Sequence, residues 1–511
     1  MLSKIYSCTL NGLDGNITDV EVDISNGLPS FIIVGLPDLS VKESKERIRS
    51  AIKNSGFEFP MKRITVNLAP ANTKKEGTHF DLAIALGILK AHGQIDNGRL
   101  DDIGFVGELS LNGKINRIDG ALPLVLALRN NGVKKVVLPE SNKKEAGMVR
   151  DVNIYPFNNL KDVIEYLQAD KEISHYIMES ELEHESQIFY KEDFGNVFGQ
   201  EFTKRALQIA AAGGHNVLMI GPPGSGKTML ARSFPSILPS MTYEECLEVT
   251  KIYSVAGELT DKVSLINRRP FRAPHHTISS TALVGGGTRP KPGEVSLAHD
   301  GVLFLDEVLE FKKSALEMLR QPIEDEIVTI SRVRATITYP SNFILIASMN
   351  PCPCGYYGDS THECTCTSSQ IKKYLSKISG PLLDRIDMHV EVFPIKYEEL
   401  TSNKKAKGSD EIRKEVQKSR TIQLERYSNE SILNNAQLNT SLIKKHCKLG
   451  KAEKELMKDA FDKLKLSARA YNRIIKLSRT IADLDGSEEI SASHIAEAIQ
   501  YRNLDKKFWS V

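Results

Sequence analysis

Over the first 168 residues, apolar and polar positions alternate between two rhythms. FIIVG (31–35), RITVNLAP (63–70), IGFVGELSL (103–111) and KKVVLPE (134–140) are short β-branched runs bounded by Gly, Pro or polar residues, the pattern of strands. Between them, KESKERIRSAIKNSG (42–56), FDLAIALGILKAHG (80–93) and ALPLVLALRNNG (121–132) carry helical patterns. Strands interleaved with helices predict an α/β or α+β domain over 1–168. Residues 169–190 are polar, acidic and aperiodic, and read as a linker. From 191 the rhythm changes. VLMI (217–220), VLFL (302–305) and FILIASM (343–349) are continuous apolar runs, as in strands of a parallel sheet covered on both faces. That block extends to 395. The last, 396–511, opens with the charged TSNKKAKGSDEIRKEVQKSR and continues with helical patterns, predicting a small helical bundle.

Bulk properties narrow the picture only slightly. A chain of 511 residues exceeds one ordinary core, and its net charge of +2 excludes neither nucleic-acid nor protein partners. The first residues hold no apolar stretch of signal-peptide length, and no run approaches a membrane span, so a soluble cytoplasmic protein without membrane partners is expected. Three of the seven cysteines (Cys8, Cys246, Cys447) are isolated and four cluster, which is no secreted disulfide framework.

Three stretches carry nucleotide chemistry. GPPGSGKTM runs over Gly221, Pro222, Pro223, Gly224, Ser225, Gly226, Lys227, Thr228 and Met229, after an apolar strand and before a helix. The glycines let backbone N–H groups turn towards phosphates, Lys227 brings charge to the β/γ-phosphates, and the Thr228 hydroxyl suits Mg²⁺. The strand VLFL ends in Asp306 and Glu307. An acid there suits holding Mg²⁺, and the next suits polarising the attacking water of ATP hydrolysis; the alternative is a solvated acidic loop. Asn350 ends a third strand, where a polar side chain can orient water against the γ-phosphate. Immediately afterwards, CPCGYYGDSTHECTC places Cys352, Cys354, Cys364 and Cys366 as two C-x-C pairs. Four thiolates suit a closed structural Zn²⁺ site, with His362 as a possible substitute ligand and reduced thiols as the alternative.

In this order, Gly221–Thr228, Asp306–Glu307 and Asn350 resemble an AAA+ ATPase. FRAPHHTISSTALVGGGTRPKPGEVSLAHDGVLFLDE (271–307) is more specific, and resembles the magnesium-chelatase-like group and within it the ComM/YifB family. The resemblance spans the chain. It implies a homo-hexameric ring with ATP between subunits. It nominates Arg385 in SGPLLDRID as an arginine finger acting on a neighbour's ATP, the alternative being an intrachain pair with Asp384 or Asp387. It nominates Arg469 as the second-sensor arginine, with Arg473 one turn on as fallback, and Val197, Phe198 and Gln200 as adenine contacts. Arg289 and Lys291, beside the triple glycine, and Arg332 and Arg334, at the tip of VTISRVRATITYP, fall where this clade lines its pore; for the second segment the alternative is a structural hairpin.

The N-terminal block resembles the proteolytic domain of Lon, in GTHFDLAIALGIL and VGELSLNGKINRIDGALPLVLALRNNGVKKVVLPE. A Ser–Lys dyad would fall near His79 and near Leu122 or Leu124, so neither dyad residue is present. The expected architecture is therefore multidomain α/β: a Lon-protease-like domain without peptidase chemistry, an AAA+ parallel-sheet P-loop core, and a C-terminal helical lid. The resemblance implies an ATP- and Mg²⁺-dependent branch migration helicase, acting on single-stranded and branched DNA in homologous recombination and natural transformation alongside recombination proteins. A chelatase-like ATPase remodelling a protein partner, or an unfoldase, is the rival.

Overall fold

The computed structural model describes residues 2–95, 100–168, 174–177, 192–260, 265–287, 290–332, 335–359, 362–395, 407–464, 466–502, 504 and 508. The chain divides into two compact units. One comprises Met1–Glu185, Tyr243–Asn267 and Val333–Ile337; the other comprises Ser186–Thr242, Arg268–Arg332 and Thr338–Val511.

The first unit is built on a seven-stranded mixed sheet. Its order is Ser30–Val34, Arg63–Ala69, Asp14–Ser25, Leu2–Asn11, Ile103–Phe105, Lys135–Pro139 and Asn153–Phe157. Leu2–Asn11 and Asp14–Ser25 form a long antiparallel hairpin, in register from Leu2 opposite Asp23 to Asn11 opposite Asp14. Ile5, Val20 and Val22 turn inward, while Lys4 and Asp19 form an ion pair at 2.9 Å on the other face, the period-two logic of a strand. The helix Asp81–His92 buries ten of its twelve residues and ends at Gly93, whose φ of 81° is easy only without a Cβ.

This unit is not contiguous in sequence. The helix Tyr243–Ala256, which a boundary at 191 assigns to the nucleotide block, packs on the N-terminal residues. Leu247 lies against the cluster of Cys8, Leu122 and Val125. The Tyr243 hydroxyl donates to Met148 O at 2.5 Å, and the Arg150 guanidinium lies 4.2 Å from its ring centre. At the other end, Ser254 Oγ donates to Glu145 at 2.8 Å and Gly120 N–H donates to Ser254 O at 3.0 Å, satisfying a carbonyl of the last turn.

The second unit holds a five-stranded, all-parallel sheet in the order Phe271–Arg272, Val302–Leu305, Ile344–Met349, Val217–Ile220 and Met388–Glu391. Every residue of Val217–Ile220 and Val302–Leu305 is buried, as their unbroken apolar sequence predicts; each such side chain contributes about 1.5–3 kcal/mol. The helices Glu201–Gly213, Ser409–Arg426, Ala468–Leu484 and Ala492–Gln500 share one apolar cluster with this sheet, so the C-terminal helices belong to the same compact unit. The sequence between these strands forms two further two-stranded sheets. Gly285–Gly286 pairs antiparallel with Lys291–Pro292, and Ile327–Arg332 forms a two-stranded sheet with Ala335–Pro340. Among the described residues, no helix is long and apolar enough to cross a membrane.

Candidate functional site

Strand Val217–Ile220 delivers the chain into the Gly221–Gly226 loop, and the helix Lys227–Ser233 follows. Gly224 and Gly226 have φ of 75° and 88°, the left-handed region in which a side chain is strained. Lys227 Nζ donates to Gly221 O at 2.7 Å and Pro222 O at 2.8 Å, and lies 3.3 Å from Asn350 Oδ1. Burial pulls this amine down to about 8, against the opposing pull of the Asp306 and Glu307 carboxylates.

The sheet order brings the separate motifs together. Thr228 Oγ1 donates to Asp306 Oδ2 at 2.9 Å, and Ser348 Oγ donates to the other carboxylate oxygen. Ser348 Oγ also accepts from Glu307 N–H at 3.1 Å. Glu307 itself sits at φ 51°, ψ 52°, a conformation costing a non-glycine residue roughly 1–3 kcal/mol and characteristic of functional positions. It borders two cavities. One, of about 280 Å³, is lined also by Thr228, Arg232, His275, His276 and Asp306. The other, of about 540 Å³, is lined also by Asn350, Lys373, Tyr374 and Lys377. The oxygen donors Thr228 and Asp306 on one cavity wall fit Mg²⁺, a hard cation that takes oxygen ligands.

Sequence reasoning singled out neither His275 and His276 nor Tyr374 and Lys373. The two histidines stand in the family-specific stretch FRAPHH, and only the fold carries them to the acids.

The segment nominated for adenine flanks the loop. Val197 is buried, Phe198 is half-exposed, and Gln200 donates to Ser225 O at 3.4 Å and to Phe393 O. Met229 is half-exposed on the helix after the loop.

Arg385 and Arg469 line none of the cavities around Thr228, Asp306 and Glu307; they line a separate cleft of about 440 Å³. Arg385 does form an intrachain ion pair, but with Glu324 rather than Asp384 or Asp387. Arg469 Nη2 reaches the same carboxylate at 2.5 Å. Arg473, the fallback, is bound to Asp387 at 3.2 Å and donates to Ile386 O at 2.9 Å. The Arg473 guanidinium and His215 hold the buried Asp387 carboxyl well below the usual range, although burial pushes it up.

The four clustered cysteines converge, with all four Sγ atoms within 4.8 Å of one another. Cys352 lies 3.3 Å from Cys354 and 3.7 Å from Cys364, and Cys354 lies 3.6 Å from Cys364. Thiolates on one tetrahedral Zn²⁺ stand about 3.8 Å apart, given Zn–S of about 2.3 Å, so the set fits that ion. The Tyr356 N–H draws the Cys354 thiol down to about 6, whereas burial pushes Cys352 up to about 12. His362 is not part of the cluster; its ring stacks on Tyr356 with centres 4.8 Å apart. The loop also abuts the phosphate loop: a Cβ on Gly355 would lie 2.5 Å from Pro223 Cδ.

Of the basic residues nominated for DNA, Lys291 is exposed on its short strand. Arg289 and Arg334 lie outside the described residues, and Arg332 ends the strand Ile327–Arg332, its side chain likewise outside them.

In the first unit, His79 is buried, with Nε2 2.8 Å from Cys8 O, and burial lowers it to about 4. Leu122 and Leu124 are fully buried, and Cys8 Sγ donates to Leu124 O at 3.2 Å. Apolar packing and a neutral imidazole thus stand at the positions that the sequence resemblance assigned to a Lon-type dyad.

A phosphate loop, two acids and an asparagine at the ends of parallel strands, and a helical lid define a P-loop core of the AAA+ type. Three family models match: "Magnesium chelatase, subunit ChlI" over 193–400, "Subunit ChlI of Mg-chelatase" over 20–142, and "Magnesium chelatase, subunit ChlI C-terminal" over 406–502. The competence protein ComM of Haemophilus influenzae is 44% identical, covering 98% of this chain and 97% of its own. The uncharacterized protein YifB of Escherichia coli is 40% identical, covering 99% and 98%. The archaeal Lon protease of Thermococcus kodakarensis is 26% identical over 27% of this chain, in keeping with a Lon-like N-terminal domain. The chain belongs to the ComM/YifB family of magnesium-chelatase-like AAA+ proteins.

Proposed function

We propose that the protein is a ring-forming, Mg²⁺-dependent ATPase that works as a DNA motor driving branch migration in homologous recombination and natural transformation. The observation that carries the ATPase reading is the convergence of Lys227, Thr228, Asp306, Glu307 and Asn350 on adjoining strand ends. In this reading the Gly221–Gly226 loop and Lys227 hold the phosphates, and Thr228 and Asp306 would hold the metal, whose charge would offset that of the phosphates. Glu307 takes the proton of the attacking water, and Asn350 orients that water. Arg385 and Arg469 serve the site of an adjacent subunit in a homo-hexamer. Their separation from the chain's own phosphate loop supports that assignment.

DNA as substrate is supported by the near-full-length similarity to a competence protein and by the basic segments at Arg289–Lys291 and Arg332–Arg334. Single-stranded and branched DNA, with recombination proteins, are the proposed partners. The Cys352–Cys366 cluster is assigned a structural Zn²⁺ that stiffens the loop beside Pro223. The family-model matches to a chelatase subunit favour the second reading, a chelatase-like ATPase remodelling a protein partner.

Steady-state ATPase measured with and without single-stranded and branched DNA separates the two. Glu307→Gln serves as the control for contaminating activity. Strong DNA stimulation is expected; a rate indifferent to DNA favours the protein-remodelling reading.

A further inference from the structure

Two arginines from different parts of the second unit meet at one carboxylate. Arg385 follows the short helix Gly380–Leu383 at the edge of the sheet core, and Arg469 stands in the first turn of the lid helix Ala468–Leu484. Glu324, near the end of the helix Arg320–Asp325, gives Oε2 to Arg385 and Oε1 to Arg469. Each guanidinium takes one oxygen, so the carboxylate is a bridge between core and lid.

The surroundings leave this bridge a specific task. Arg385 is pinned on one side, where Nη1 donates to Pro381 O at 2.7 Å, and its buried Nε has no hydrogen-bond partner among the described residues. Arg469 is half-exposed and open to a ligand. The other cations of the cleft are committed elsewhere: Arg473 pairs with Asp387, and Lys476 donates to Ala436 O at 2.6 Å. Two guanidinium groups repel at close range, and one carboxylate between them lets them share a location while leaving a net positive charge. The side chain of Glu324 is 42% exposed, and exposed ion pairs add little to folding. Its contribution therefore lies in where it puts the arginines.

We infer that Glu324 is a positioning residue that gathers Arg385 and Arg469 into one cationic pair, presented to the terminal phosphate of the nucleotide held by an adjacent subunit. The inference rests on the ring-ATPase reading above. A planar guanidinium fork acts on a phosphate only when oriented, and small misplacements of such groups are costly in rate.

The test is steady-state kinetics of the full chain with ATP varied, comparing the parent with Glu324→Gln, Arg385→Ala and the double variant. Glu324→Gln should lower kcat by about tenfold or more while KM for ATP stays within about twofold, because the chain's own phosphate loop is untouched. The double variant should be no slower than Arg385→Ala alone, since both changes disable one device. Thermal unfolding of Glu324→Gln should match the parent, separating positioning from folding. A parent-like or raised kcat in Glu324→Gln overturns the inference, as does a loss that multiplies with that of Arg385→Ala. If Arg385→Ala itself keeps the parent rate, the arginine-finger reading falls and takes this inference with it. That outcome is distinct from a silent Glu324→Gln beside an inactive Arg385→Ala.

Discussion

Thr228 Oγ1 donates a 2.9 Å hydrogen bond to Asp306 Oδ2, tying the first turn after the phosphate loop to the end of a strand two places away in the sheet. Each partner thus holds the other in place. Asp306→Asn keeps a side-chain oxygen able to accept from Thr228 but removes the charge that attracts a divalent ion. Half-maximal ATPase should then need about tenfold more Mg²⁺ or beyond. A Mg²⁺ titration of ATPase checks this; an unchanged midpoint would remove Asp306 from the metal site.

The cysteine cluster makes a stoichiometric prediction. Purified protein should carry one zinc per chain by elemental analysis, and Cys364→Ser should lose it, because three thiolates bind far less firmly than four. Metal stripping should also lower the thermal midpoint and weaken ATP binding, since the loop leans on Pro223. Metal-free protein of unchanged stability would return the cluster to reduced thiols.

His79 predicts acid sensitivity in the first unit. Its folded pKa of about 4 lies below the ordinary 6.5, so between those values the unfolded chain binds a proton that the folded one refuses. The stability is present in full above about pH 6.5 and is lost as pH falls towards 4, by an amount on the order of 3 kcal/mol. Asp81 works in the opposite sense. Burial raises its carboxyl to about 7 despite the Arg47 ion pair, so its protonated form favours folding at lower pH. The two effects partly offset, and the informative quantity is the difference between parent and His79→Gln. Urea unfolding at several pH values between 4.5 and 7, followed by circular dichroism, should show less acid destabilisation in the variant. Parallel pH profiles would mean that His79 does not titrate as its burial requires.

The double variant Arg332→Ala, Arg334→Ala should keep basal ATPase and bind DNA more weakly. The slope of log affinity against log salt should flatten by about 2, one unit for each lost phosphate contact. Equal affinity and slope would make VTISRVRATITYP a purely structural hairpin.

The parts of this molecule that were legible in sequence are those in which chemistry is contiguous or burial is two-sided. Gly221–Thr228 is one contiguous stretch, and VLFL and VLMI are apolar throughout because both faces of their strands are covered. The hairpin Leu2–Asn11 with Asp14–Ser25 was harder to see. Ser3, Ser7, Thr9 and Thr18 occupy buried positions there, so no apolar run forms and only the alternation in ITDVEVDI signals a strand. The role of Glu324 was invisible for a different reason: its partners lie 61 and 145 residues away, and nothing local marks a carboxylate that closes so long a loop. His275 and His276 lay within a family-specific stretch, yet their place beside Asp306 and Glu307 follows only from strand order.

Because the helix Tyr243–Ala256 belongs to the first unit, that unit cannot finish folding when residue 168 leaves the ribosome. The apolar surface around Leu122 and Val125 must wait for Leu247, and by then the whole phosphate loop has been synthesised. The amino-terminal block is thus the first to be made and among the last to be sealed, so a chain truncated at 168 emerges with a sticky, unfinished face.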